Sequence, residues 1–195
     1  MTYSKNEITG IILSGGKSSR MGQNKSLLIY NNQTFIEHLC NTFSSLCNNI
    51  IISANSNDYS FLKQNVVKDI FPEKGPLSGL HSALSASQTQ INIVAACDTP
   101  LLPKELFLKL LKNTAKQQIV VANVIGRTQP LIGVFKKELV SIYEEKLNKG
   151  EFSPFYIMKE LHYEEVYITK NDNFYNEKAF LNINNQTDYQ KLLAL

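Results

Sequence analysis

A chain of 195 residues with 43% hydrophobic content is long enough for one substantial core and short for two independent ones. Its net charge of +3 is far from the clustered excess of a nucleic-acid-binding domain, and no RRM, KH or helix-turn-helix pattern occurs. A nucleic-acid-binding module is therefore disfavoured, no nucleic-acid partner is expected, and any anionic ligand is expected to be small. Met1 to Gly10 has no secretory-type apolar stretch, and no apolar run approaches the ~20 residues needed to cross a bilayer, so a cytoplasmic protein without membrane contact is expected.

In chain order, apolar β-branched runs at Ile8 to Leu13, Ile50 to Ile52, Val66-Val67, Ile91 to Ala96, Ile119 to Ala122 and Leu131 to Phe135 predict strands. Between them the 3.6-type spacings Phe35-Ile36-Leu39-Phe43-Leu46, Leu77-Leu80-Leu84 and Leu106-Leu110 predict helices. Beyond Phe135, helices are expected over Lys136 to Asn148 and Ser153 to Leu161, a strand over Glu164 to Thr169 and a last helix over Asn185 to Leu193. Asn171 to Asn176 is polar and reads as a surface loop. Strand alternating with helix predicts a three-layer α/β/α, Rossmann-like fold with a mostly parallel mixed sheet and ligand loops at the carboxyl ends of strands. No linker or repeat interrupts it, so residues 1–195 are expected to form one domain.

The first strand runs directly into Leu13-Ser14-Gly15-Gly16-Lys17-Ser18-Ser19-Arg20-Met21-Gly22-Gln23-Asn24-Lys25. Gly15 and Gly16 allow the backbone to approach an anion closely, while Arg20 and Lys25 bring fixed positive charge. The spacing is neither that of a P-loop, which needs glycine where Ile11 stands, nor the Gly-x-Gly-x-x-Gly of dinucleotide folds. It predicts a third kind of phosphate cradle.

Ile91 to Ala96 ends in Cys97-Asp98-Thr99-Pro100, which puts a carboxylate at the carboxyl end of a fully buried strand. Asp98 has two readings: a ligand for Mg²⁺ on nucleotide phosphates, favoured beside the glycine loop, or a cap for the following helix. Asp69 opens a segment, Asp69 to Leu80, in which Gly75-Pro76 fixes a turn and Gly79 permits close helix approach. Its carboxylate suits ribose hydroxyls or the N–H edge of guanine. Among twenty basic residues only Arg20 and Arg127 are arginine, and both fall in segments that read as site loops. Cys40, Cys47 and Cys97, with His38, His81 and His162, lack metal-type spacing, so no zinc site is expected.

Leu13 to Lys25, Asp69 to Leu80, Cys97 to Pro100, Arg127 to Pro130 and Asn182-Ile183-Asn184 stand in an order and spacing that resemble the molybdenum cofactor guanylyltransferases, the MobA family. The resemblance covers nearly the whole chain. Its glycine segment is shared with a wider class of nucleotidyltransferases, so the implied fold is that of the nucleotide-diphospho-sugar transferases, with nucleotide bound by residues of about 1–100 and acceptor by about 101–195. It implies that Leu13, Ser14, Gly15 and Gly16 contact GTP along the loop, Lys25 and Arg20 its phosphates, Asp69 the nucleoside, and Asp98 both GTP and Mg²⁺. Asn182, Asn184 and Arg127 would lie toward the acceptor or the metal. Ser14 stands where alanine is usual, and Ser53 where some relatives carry asparagine.

The activity implied is transfer of GMP from GTP to a molybdopterin-type phosphorylated substrate. Transient contacts with other cofactor-biosynthesis proteins and acceptor molybdoenzymes are implied as well. Such a transfer needs alignment and charge neutralisation, not a nucleophilic triad. The alternatives are a relative that uses CTP or another nucleotide on a different phosphorylated acceptor, and a nucleotide-binding regulator without turnover, against which Lys25 and Asp98 argue.

Overall fold

The computed structural model describes residues 3–15 and 24–195. Its elements, in chain order, are β1 (Ile8–Leu13), a small hairpin of β2 (Ile29–Tyr30) and β3 (Gln33–Thr34), α1 (Phe35–Ser44), β4 (Asn49–Ser53) and β5 (Asn65–Val67). There follow α2 (Pro76–Ala86), β6 (Ile91–Ala96), α3 (Lys104–Leu111), β7 (Ile119–Val124) and β8 (Arg127–Lys136). Last come α4 (Leu139–Asn148), α5 (Pro154–Glu160), β9 (Glu164–Ile168) and α6 (Gln186–Ala194). One sheet has the order β5-β4-β1-β6-β8-β7-β9, with β8 antiparallel to its two neighbours and the other pairings parallel.

Successive residues of a strand point to opposite faces, so β1 is buried throughout and nearly all apolar where helices cover both sides, with the Thr9 hydroxyl accepting from Thr89 Oγ1. Ile12 packs into a cluster with Phe43 of α1 and Phe107 of α3, whose rings meet edge to face at 5.0 Å. Its neighbours Ile11 and Leu13 enter the opposite cluster, with Leu77 and Leu80 of α2 and Leu139 and Tyr143 of α4. Each such fully buried side chain contributes about 1.5–3 kcal/mol. The start of α1 is set by a capping box: the Thr34 amide donates to Glu37 Oε2 at 2.7 Å, and the Glu37 amide donates back to Thr34 Oγ1 at 3.4 Å.

The crossovers place β4 on one side of β1 and β6 on the other, which leaves a crevice at the carboxyl ends of β1 and β6. Two bonds extend the sheet past its strands at this point: the Ser14 amide donates to the Ser53 carbonyl at 2.9 Å, and the Cys97 amide to the Leu13 carbonyl at 3.0 Å.

Two expectations are corrected. The segment before Leu131 is not a loop, because β8 begins at Arg127. Pro130 reads as a strand breaker, but the ladder steps from Val121↔Gly133 to Ala122↔Gln129, so Pro130, Leu131 and Ile132 form a bulge that needs no amide from Pro130. The helix expected from Lys136 starts at Leu139, since Lys136 still pairs with Ile91 in the sheet.

Candidate active site

At the crevice the structure has a cleft of about 840 Å³, lined by Leu13, Ser14, Gly15, Lys25, Asp69, Gly79 and Asp98 among others. Leu131 reaches the cleft from the β8 bulge. A smaller cavity of about 510 Å³, lined by Tyr3, Gln88, Thr89 and Lys136 among others, contains none of the expected site residues.

The chain leaves the sheet after Ser14. The Ser14 amide is committed to Ser53, which leaves this residue its carbonyl and hydroxyl for other contacts. Gly15 is exposed and lines the cleft, and a Cβ built on it meets no atom of the described residues within 4 Å. Gly16 and Arg20, both expected to hold phosphate, lie outside the described residues. The chain re-enters at Asn24, whose side chain accepts from the Ser26 amide at 3.2 Å and so caps a single helical turn that begins with Lys25.

Lys25 Nζ donates to Asn184 Oδ1 at 2.9 Å. Asn184 in turn donates its carboxamide N–H to Asn182 Oδ1 at 2.7 Å, and its own amide donates to Asp188 Oδ2 at 2.8 Å. Between the two asparagines, Ile183 is fully buried beside Leu28, Phe35 and Leu192, and its amide donates to the Asp98 carbonyl at 2.8 Å. The alternation explains the motif. One apolar anchor docks the segment, and the side chains on either side of it are turned outward.

Asp98 is half-buried in a turn after β6, while α3 takes Pro103 as its N-cap, so the helix-capping reading of Asp98 fails. Burial pushes its carboxyl above the usual range, opposed by the nearby Lys25 charge and by a hydrogen bond from Asn182. The adjoining Cys97 thiol is pushed up to about 11 by burial and by the Asp98 charge, which leaves it protonated and unreactive at neutral pH. Among the described residues no group of three or more His, Cys, Asp or Glu side chains is placed to hold a metal ion.

Asp69 lies two residues beyond β5. It is held by a reciprocal pair: Asn55 Nδ2 donates to Asp69 Oδ2 at 2.9 Å, and the Asp69 amide donates to Asn55 Oδ1 at 3.0 Å. Gly79 is required here, because a Cβ would stand 2.6 Å from Ser53 Oγ and 3.5 Å from Asp69 Oδ1. Gly75, at φ +71°, turns the chain into α2 with Pro76 at the first position.

The structure thus brings together Leu13, Ser14, Gly15, Lys25, Asp69 and Asp98, with Asn182 and Asn184 at the Lys25 and Asp98 side. It does not bring Arg127 with them. That residue is exposed beside the Ile125-Gly126 turn, where φ is +47° and +78°, and it does not line the cleft. Sequence reasoning missed Asn24, Asn55, Tyr59 and Leu131. An asparagine directly after the glycine segment and directly before Lys25 is a cap signal that was available; Tyr59, in a polar stretch without periodicity, gave none.

Residues 10–163 match the model of a family described as the MobA-like NTP transferase domain. The chain is similar to a protein of Carboxydothermus hydrogenoformans named "Probable molybdenum cofactor guanylyltransferase", 36% identical with 96% of each chain covered. A Campylobacter jejuni subsp. doylei protein named "Molybdenum cofactor guanylyltransferase" is 31% identical, with 95% of each covered. Among solved structures, one from Aquifex aeolicus VF5 has a TM-score of 0.73 at 33% identity, over 85% of this chain and 88% of that one. The molybdopterin-guanine dinucleotide biosynthesis protein A of Archaeoglobus fulgidus has the same fold, with a TM-score of 0.75 at 20% identity over 94% and 96%.

Proposed function

Because the chain belongs to the family of MobA-like NTP transferase domains, we propose that it transfers GMP from GTP to the terminal phosphate of a molybdopterin-type substrate and releases pyrophosphate. The observation that carries this reading is the convergence of Gly15, Lys25, Asp69 and Asp98 on one cleft at the sheet's switch point, in a chain whose relatives over nearly its full length bear that activity in their names.

In the reaction a phosphate oxygen of the acceptor attacks the α-phosphorus of GTP, the bond to the β-phosphate oxygen breaks, and pyrophosphate carries away the electron pair. Gly15 lets the triphosphate approach the backbone, since none of the described residues occupies the space a side chain would fill. Lys25, oriented by Asn184, counters charge on the phosphates. Asp69, held by Asn55, presents an acceptor to the nucleoside; guanine offers N1–H and an amino group together, as adenine does not, which supports selection of GTP. Asn182, bonded to Asp98, would lie toward the acceptor, while Asn184 acts through Lys25.

Mg²⁺ fits the donors present. The half-buried Asp98 carboxylate, with the Asn182 side chain bonded to it, is a hard oxygen donor of the kind that holds this ion together with substrate phosphates and water and not in a cage made by protein alone. Bound there, Mg²⁺ would neutralise phosphate charge and polarise the reacting phosphorus. A cytoplasmic location is consistent with this role, and no helix among the described residues is long and apolar enough to cross a membrane.

Thermal melts with GTP, CTP, ATP and UTP, each with and without Mg²⁺, test the reading. It expects the largest upward shift with GTP and Mg²⁺; a larger shift with CTP would favour a cytidylyltransferase on another phosphorylated acceptor.

A further inference from the structure

Tyr59 lies in an irregular segment beyond β4, its ring packed in the core at 1% exposure. A residue needed only for that packing would carry no hydroxyl, because a buried hydroxyl is costly unless paired. Here it is paired completely. Ser26 Oγ donates its only proton to Asn24 Oδ1 at 2.8 Å, so in its 2.9 Å contact with Tyr59 it must accept the phenolic proton. The two acceptor positions of the phenolic oxygen are then filled by Asn24 Nδ2 at 3.0 Å and by the Ser14 hydroxyl at 2.7 Å. The Ser14 carbonyl at 3.4 Å is too distant to compete for the proton.

All three partners flank the glycine segment. Ser14 is the last residue before Gly15, and Asn24 and Ser26 bracket Lys25. We propose that Tyr59 is a positioning residue for polyphosphate binding: its phenol ties Ser14, next to Gly15, to Asn24 and Ser26, on either side of Lys25, and so sets the position of Lys25 relative to Gly15. The proposal deepens the nucleotidyltransferase reading and rests on its phosphate-loop part only. Holding Lys25 and Ser14 in place before binding removes part of the ordering cost that a ligand must otherwise meet.

The test is calorimetric titration of the full-length protein with inorganic triphosphate, beside a thermal melt, for the natural protein and for Tyr59→Phe, Ser26→Ala and the double variant. Tyr59→Phe keeps the ring and should melt close to the natural protein, while its Kd for triphosphate rises about tenfold, the worth of one or two well-made hydrogen bonds. Ser26→Ala should weaken binding in the same direction, and the double variant by less than the product of the two single effects, because both break one knot. An unchanged Kd in folded Tyr59→Phe, with or without a lower melting temperature, would reduce Tyr59 to a packing residue and overturn the proposal; so would strict multiplicativity in the double variant. Inorganic triphosphate has neither base nor pterin, so the outcome is separate from the guanylyltransferase reading, whose failure would appear as absent preference for GTP in the natural protein.

Discussion

Lys25 Nζ and Asn184 Oδ1 lie 2.9 Å apart, although 159 positions of sequence separate them. The bond joins Lys25 at the cleft to the segment before α6, so the C-terminal asparagine motif orients the Lys25 ammonium.

Lys25→Ala should weaken GTP far more than GMP, because the lost charge faces the distal phosphates. Asn184→Ala leaves the ammonium in place but removes its holder, so KM for GTP should rise by a smaller factor, ~3- to 10-fold for one charge-assisted hydrogen bond. In steady-state kinetics the double variant should be no worse than Lys25→Ala alone. Independent, multiplicative losses would mean that Asn184 acts on the acceptor and not through Lys25.

Gly15→Val should abolish nucleotide binding in a protein that still folds. Among the described residues no atom lies within 4 Å of the added Cβ, so the clash falls on the ligand and not on the core. A melt within a few degrees of the natural one and loss of GTP-induced stabilisation are expected; retained stabilisation by GTP would remove Gly15 from the cradle.

Asp98→Asn should cut turnover by orders of magnitude and at the same time make the fold more stable at neutral pH. The folded-state carboxyl is raised by burial above its usual 3.8, so folding favours the protonated form. That contribution is fully present below the unfolded pKa and is lost as pH rises through the folded one, which leaves an ionised carboxylate as a cost at pH 7. The variant should therefore melt higher than the natural protein at pH 7, and the gap should close toward pH 3. A lower melting temperature at pH 7 would show that Lys25 and Asn182 outweigh burial.

His81 supplies a pH response remote from this chemistry. It is buried at 3% exposure in α2 against the edge of Phe71, its Nδ1 has no partner, and burial lowers its pKa below 6.5 against a weaker opposing effect of Glu144. With a depressed folded pKa, the contribution is present above the unfolded value and is lost as pH falls below about 6.5. His81→Met should flatten the decline of melting temperature between pH 6.5 and 5; an unchanged slope would assign that decline to other groups.

The sheet and its helices were legible because burial on both faces forces nearly continuous apolar strands such as Ile8 to Leu13 and Ile91 to Ala96, each interrupted by one buried polar residue, Thr9 and Asn92, and these runs end at the cleft. Where the strand rule is locally broken, at Pro130, the pattern misplaced the start of β8 and with it Arg127; a bulge absorbs the proline and carries Leu131 to the site. Gly15, Lys25, Asp69 and Asp98 could be singled out because glycines and charges at strand ends have a chemical meaning in sequence. The side chains that hold them, Asn55, Asn184 and Tyr59, could be placed there only by the fold, since each acts across a tertiary contact that no local spacing encodes.

The central claim is the transfer of GMP, and the most direct measurement of it is product analysis after incubation with GTP, Mg²⁺ and molybdopterin-bound cofactor. The account predicts equimolar pyrophosphate and guanylated pterin, with little product when CTP replaces GTP, because a buried polar group left unpaired by the wrong base costs about 1–3 kcal/mol. Absence of both products with GTP, while CTP is consumed with another phosphorylated acceptor, would contradict it.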